Sequence, residues 1–169
     1  MNKEQAIPME IERRWRVTGW PDGPRHETEE LMRQGYVTTR PAVRIREEAT
    51  VGGDTTWMLC LKNGQGIACK EIEFPIEETH FREIESLIGC PLIQKIRRIY
   101  LLPDGSRLEV NHVDEGLPTE FWYAEVEFPD IPTARSWSPA ANGLSGYLAD
   151  EVTDKPGQSM AAYWEQTRQ

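Results

Sequence analysis

The chain has 169 residues, of which 38% are hydrophobic and 28% charged, and a formal net charge of -9. With a mean hydropathy of -0.60, no apolar run reaches the ~18 residues of a membrane span, and the N-terminus has no signal-peptide core. The negative balance argues against nucleic acid as the main partner, so a polyanionic ligand would have to meet a local basic cluster, metal ions or both. The length fits a single domain over 1–169, and the three cysteines, Cys60, Cys69 and Cys90, without metal spacing, fit reduced thiols in a cytoplasmic protein.

The first element, Met9 to Val17, alternates with a period of two. Glu10, Glu12, Arg14 and Arg16 share one face, while Ile11, Trp15 and Val17 take the other together with Arg13. Two carboxylates two residues apart in a strand stand about 7 Å from each other. Followed by two cations, they make a layout for holding a divalent cation beside an anion.

Thr18 to Pro24 is turn-rich. Glu27 to Gln34 reads as a short helix ended by Gly35, and Tyr36 to Thr39 as a short strand broken at Pro41. Ala42 to Glu47 is a strand with Arg44 and Arg46 on one face. Gly52-Gly53-Asp54 turns into a strand over Thr55 to Lys62, where Trp57, Leu59 and Leu61 oppose Met58, Cys60 and Lys62. Asn63-Gly64 closes a hairpin, because that dipeptide takes positive φ readily. The returning strand, Ile67 to Ile76, carries Glu71 and Glu73 on one face and Ile72, Phe74 and Ile76 on the other.

Glu77 to Ile88 has the strongest helical period, with Phe81, Ile84, Leu87 and Ile88 as its stripe, Thr79 as N-cap and Gly89 as the stop. Leu92 to Leu102 is a strand placing Lys95 and Arg97 on one side. Ser106 to Val113 pairs Glu109 with Asn111, and Glu120 to Phe128 sets Glu125 and Glu127 against Trp122, Ala124, Val126 and Phe128. Short helices follow Pro129, and a C-terminal helix spans Pro156 to Thr167, packing through Met160, Tyr163 and Trp164. His112 falls on the apolar side of its strand, while His26 and His80 read as surface residues.

Collected by face, Glu-x-Glu pairs and Arg-x-Arg or Lys-x-Arg pairs recur strand after strand. An antiparallel sheet of about eight strands, curled with this face inward and helices over its apolar face, would enclose a wet, ligand-sized channel. Its buried charges would need mutual pairing, hydration, ligand or metal.

Taken in order, these motifs resemble the CYTH superfamily, the triphosphate tunnel metalloenzymes. Glu10, Glu12 and Arg14 match the Glu-x-Glu-x-Lys signature with arginine in the lysine place. The likeness continues through Gln34-Gly35-Tyr36, Val43-Arg44-Ile45-Arg46, Leu59-Cys60-Leu61-Lys62, Glu71-Ile72-Glu73, Lys95-Ile96-Arg97, Glu109-Val110-Asn111, Glu125-Val126-Glu127 and Glu151-Val152-Thr153.

The resemblance implies an α+β protein built on an eight-stranded antiparallel β-barrel, or tunnel, with flanking helices. It implies Mg²⁺ or Mn²⁺ held by Glu10, Glu12, Glu125 and Glu127, which would also serve metal-assisted activation of water, with Glu71, Glu73 and Glu109 as weaker ligands. Arg14, Arg44, Arg46, Lys62, Lys95 and Arg97 would grip phosphate, and Arg16 lies outside the motif. Asn111 stands where aspartate is frequent in the family, which removes one carboxylate.

Oxygen ligands suit a hard cation, and arginine binds phosphate with two parallel hydrogen bonds. The expected activity is divalent-metal-dependent hydrolysis of a small triphosphate, first of all inorganic tripolyphosphate to pyrophosphate and phosphate. A class IV-type adenylate cyclase, a nucleoside or thiamine triphosphatase and a non-catalytic polyphosphate-binding module are the alternatives. A homodimer is compatible with the resemblance.

Overall fold

The computed structural model describes residues 8–168. Eight strands run antiparallel: β1 (Met9–Arg16), β2 (Thr28–Thr39), β3 (Ala42–Thr50), β4 (Thr55–Asn63), β5 (Ala68–Pro75), β6 (Ile93–Leu101), β7 (Arg107–Val113) and β8 (Phe121–Glu127). They hydrogen-bond in the order β5-β4-β3-β2-β6-β7-β8-β1, and β1 returns to β5, closing a barrel. Closure removes the free edges an open sheet would expose. β1 reaches both neighbours by sharing its length: Met9 to Ile11 face β5, and Glu12 to Arg16 face β8. A two-residue strand, β9 (Asp150–Glu151), adds to β1 at Trp15 and Arg16.

The helix expected over Glu27 to Gln34 does not form. Those residues belong to β2, a 12-residue strand that pairs with β3 on one side and β6 on the other. Glutamates, Leu31, Met32 and Gln34 favour helix locally, but two partner strands satisfy their backbone groups and override that preference. Gly35 therefore ends nothing; a side chain there would meet Leu92, Ile88 of α1 (Glu78–Ile88) and Trp164 of α3 (Met160–Thr167).

α1 ends at Gly89 in the left-handed region, as the sequence indicates, but its N-cap is Glu77 and makes no side-chain capping bond. Thr79 lies inside the helix. α3 is shorter than the expected Pro156–Thr167 because Ser159 caps it, accepting from the Ala162 amide. Between β8 and β9 lie α2 (Ile131–Ser136), capped by Asp130, and a 3-10 turn over Pro139–Asn142.

The apolar faces point outward and are covered in two regions. Trp15, Leu108, Val110, Ala124, Val126 and Phe128 meet Ala134, Leu144 and Leu148 from the segment after β8. Ile45 and Leu92 pack with Phe81 of α1 and with Met160, Tyr163 and Trp164 of α3. Tyr36, Ile93, Val113 and Tyr123, from the inner face, join the same cluster, so α3 lies across one end of the barrel. The helices cover Trp57 and Leu59 of β4 but leave part of the outer wall bare, where Leu61, Ile72 and Phe74 of β4 and β5 are exposed. No helix among the described residues is long and apolar enough to cross a membrane.

Candidate active site

Strand parity turns the charged residues into the lumen. β1 contributes Glu10, Glu12 and Arg14; β3 Arg44, Arg46 and Glu48; β4 Cys60 and Lys62; and β5 Glu71 and Glu73. β2 adds Glu30, Gln34 and Tyr36, β6 adds Lys95 and Arg97, and β7 and β8 add Glu109, Asn111, Tyr123, Glu125 and Glu127. Carboxylates outnumber cations on this wall, and that surplus shapes the electrostatics.

Three carboxylates converge. Oxygens of Glu10, Glu12 and Glu127 all lie within 4.8 Å of one another. Burial, and then the neighbouring Glu125, push Glu12 up to about 8, against the pull of Arg14 and Lys62. Burial followed by Glu109, Glu10 and Glu125 lifts Glu127 to about 7. Glu10 is likewise raised, chiefly by burial, although Lys62 pairs with it. Carboxyls that hold protons for want of compensating charge are the donor set a hard divalent cation fits, because the cation supplies that charge through oxygen ligands.

Glu125 behaves differently. Burial opposes its charge, but Arg14, Lys95 and Lys62 outweigh burial and hold it at about 2. Arg14 donates from Nε to its Oε1 at 2.8 Å, spends Nη1 on the Gln158 carbonyl at 2.6 Å and reaches Glu12 at 3.4 Å. The four acids expected to act together are therefore divided in this arrangement: Glu10, Glu12 and Glu127 converge, and Glu125 is locked to a guanidinium.

The weaker acids are paired as well. Arg97 holds Glu30 at 2.6 Å, Glu109 at 3.1 Å and Glu48 at 3.3 Å. Arg46 meets Glu48 at 2.5 Å and Glu73 at 3.0 Å, and Arg44 meets Glu71 at 3.4 Å. Glu71 and Glu73 form a second group with Cys60, whose thiol lies 3.1 Å from Glu71 and is pushed up to about 12, mainly by burial.

Lys95 is set apart from the other cations. It is buried, contacts the Tyr123 hydroxyl at 3.0 Å, and is pushed down to about 7 by burial and then by Arg97. Arg16, by contrast, is exposed and bonds the Gln158 side chain at 3.0 Å. His112 is structural, stacked on Trp122 at 3.8 Å and bonded to Glu120, while His26 and His80 are exposed.

Glu30, Glu48 and Tyr123 join the wall without having been singled out in the sequence, and so do Gln34 and Tyr36, which the sequence offered only as part of the Gln34-Gly35-Tyr36 likeness and without a role. Tyr123 shares parity with Glu125, and Glu48 with Arg46, so extending the alternation by one step finds both. Glu30 and Gln34 were hidden by the helical reading of β2.

A cavity of about 650 Å³ opens at the mouth formed by Arg14, Lys62, the β4–β5 turn and residues 152–162. Tyr36 is the aromatic residue among its lining side chains, and it is buried against Trp164 at 5.6 Å. A second cavity of about 600 Å³ reaches Glu109 and Glu127 beside Asp104 and Arg107.

No protein-family model matches this sequence, and neither does any curated protein. Solved structures do. The inorganic triphosphatase NE1496 is 27% identical, with 91% of this chain and 93% of that chain covered at a TM-score of 0.59. The putative adenylyl cyclase HpAC1 from Hippeastrum, described as having dominant triphosphatase activity, is 16% identical, with 93% and 95% covered at 0.65. The PH1819 protein from Pyrococcus horikoshii is 18% identical, with 94% and 99% covered at 0.63.

Proposed function

We propose that this chain, which has the CYTH triphosphate-tunnel fold, is a divalent-metal-dependent triphosphatase acting first of all on inorganic tripolyphosphate, with pyrophosphate and phosphate as products. The observation that carries the reading is the meeting of Glu10, Glu12 and Glu127 inside a closed barrel whose wall also turns six cations inward. A plain anion receptor has no use for three converging carboxylates, and a plain cation site has no use for the arginines.

Glu10, Glu12 and Glu127 would hold Mg²⁺ or Mn²⁺, which supplies charge neutralisation of phosphate and acidification of bound water. Arg14, Arg44, Arg46, Lys62 and Arg97 bind the phosphate oxygens. In the free protein they hold carboxylates, so a triphosphate enters by exchanging one set of anions for another. That keeps the guanidiniums oriented and spares the site the cost of leaving buried charge unpaired. Phosphoryl transfer then needs alignment and stabilisation of developing charge more than a covalent nucleophile. Lys95 is the tunnel amine able to shed its proton near neutrality, so its Nζ is the place where a proton from the attacking water is held.

The inorganic substrate is favoured over ATP by the mouth, where the one aromatic ring, Tyr36, is already covered by Trp164 and offers adenine no free face. The same reading takes the chain as a single cytoplasmic domain that binds neither nucleic acid nor membrane. It assigns a homodimer contact to the exposed Leu61, Ile72 and Phe74 surface.

Product analysis with tripolyphosphate and ATP in parallel, each with Mg²⁺, Mn²⁺ or EDTA, tests the proposal. Pyrophosphate and phosphate from tripolyphosphate, abolished by EDTA, are expected. Cyclic AMP from ATP would replace the reading with a cyclase, and tight metal-independent binding without turnover would leave a polyphosphate receptor.

A further inference from the structure

Buried polar side chains normally find partners, because an amide taken out of water without them costs free energy. Among the described residues, the buried side-chain nitrogens and oxygens lacking a hydrogen-bonding partner belong to Gln34, Arg44, Arg46, Glu71 and Asn111. All five sit on the inner face of the barrel. Atoms orphaned only along the tunnel wall mark where a ligand, and not the protein, supplies the partners.

Four of the five are partly satisfied. Arg44, Arg46 and Glu71 have ion-pair partners, and Gln34 donates to the Tyr36 hydroxyl at 3.1 Å. Asn111 has none. It is completely buried, and both its Oδ1 and its Nδ2 lack a partner, so turning the amide over changes nothing. Its cross-strand neighbours are Arg97 on β6 and Tyr123 on β8, the tyrosine whose hydroxyl meets Lys95.

Resting on the triphosphatase reading, we propose that Asn111 directly contacts the reacting phosphoryl group and the attacking water. Nδ2 donates to a phosphoryl oxygen, and Oδ1 accepts a hydrogen from the water. The two partners make opposite demands: a phosphoryl oxygen only accepts, while a nucleophilic water must give hydrogens away. A neutral amide answers both within one side chain, whereas an ammonium has no acceptor to orient the water. In the step, the water oxygen bonds to phosphorus as the bridging P–O bond breaks. Pyrophosphate leaves with the bridging oxygen, and the water's proton passes to the Lys95 amine. Asn111 keeps its own protons and orients.

The test replaces Asn111→Leu in the full chain and measures unfolding temperature without ligand, tripolyphosphate affinity with Mg²⁺, and turnover. Leucine is similar in size and removes both polar ends at once. Unfolding temperature should hold or rise, because removing an unsatisfied amide relieves the free protein, while affinity falls about tenfold and kcat about a hundredfold. A purely structural Asn111 gives the reverse: a lower unfolding temperature with affinity and kcat within twofold of wild type, which overturns the proposal. Should the leucine variant not fold, Asn111→Ala is measured the same way, and wild-type affinity and kcat there overturn it equally. A wild type that neither binds nor hydrolyses tripolyphosphate would sink the triphosphatase reading itself, a failure distinct from a fully active variant.

Discussion

Glu12 and Glu125 lie on neighbouring strands and face the same lumen, yet one is pushed up to about 8 and the other held at about 2. Arg14 makes the difference. Its guanidinium stands opposite Glu125 in the strand register and gives it two donors, whereas Glu12 lies opposite Glu127, another acid. The acids that no guanidinium grips with two donors are the ones able to take a cation. Glu12→Gln and Glu127→Gln keep shape and burial but remove that capacity, so each should lower metal-dependent turnover by at least about a hundredfold. Steady-state rates over a Mg²⁺ titration check this, and wild-type rates from both variants would remove these residues from the metal set. Arg46→Ala deletes charge-assisted bonds of about 1.5–3 kcal/mol, equivalent to roughly a 10- to 150-fold fall in kcat/KM for tripolyphosphate. An unchanged value would place Arg46 outside the substrate's reach and leave it as a partner for Glu48 and Glu73.

At the scale of elements, β2 shows what local sequence can and cannot say. A Cβ on Gly35 would lie 2.4 Å from Leu92 Cδ2 and 3.2 Å from Ile88 Cδ1, so the glycine lets α1 and the start of β6 close on the barrel wall. Gly35→Ala should cost about 1–3 kcal/mol through overpacking, read as a lower midpoint in chemical denaturation. An unaltered midpoint would mean that Leu92 swings aside freely. Nothing in the residues around Gly35 announces this packing, and a helix stop is what the letters suggest locally. The strands carrying Glu10, Arg44, Lys62, Glu71, Lys95, Glu109 and Glu125 were legible because an apolar face set against a charged face imposes a clean period of two. β2 was not, because Leu31 is exposed and Met32 faces inward, which inverts the expected placement of apolar side chains. The closure of β1 on β5 was legible only through the resemblance, since three pairs of residues at Met9 to Ile11 carry no special signal. The division of the four expected metal ligands depends on which strand lies opposite which, and no single strand contains that information.

Across the whole molecule, the barrel gathers like charges, and the cost should appear in stability as a function of pH. Glu12 and Glu127 titrate at about 8 and about 7 in the folded protein, against an ordinary value of 4.5. The folded state therefore binds more protons than the unfolded chain between pH 4.5 and about 8, and the metal-free protein loses stability as pH rises through that window. Glu10 and Glu109, also raised, act in the same direction. Lys95, lowered to about 7 from 10.5, acts oppositely: above pH 7 the unfolded chain binds the extra proton, so stability recovers toward 10.5. Glu125, held at about 2, contributes a constant amount throughout and falters only below pH 4.5. In EDTA the unfolding temperature should thus pass through a minimum near pH 7–8. Mg²⁺ binds the folded state and needs deprotonated carboxylates, so the rise in unfolding temperature it produces should be larger at pH 8 than at pH 6. Calorimetry from pH 5 to 9, with and without Mg²⁺, reads both effects in one series. A Mg²⁺-induced rise that grows toward low pH would show that the cation binds away from Glu12 and Glu127. With the expected sign, the strain of packing acids into the tunnel is the same free energy that draws the metal in.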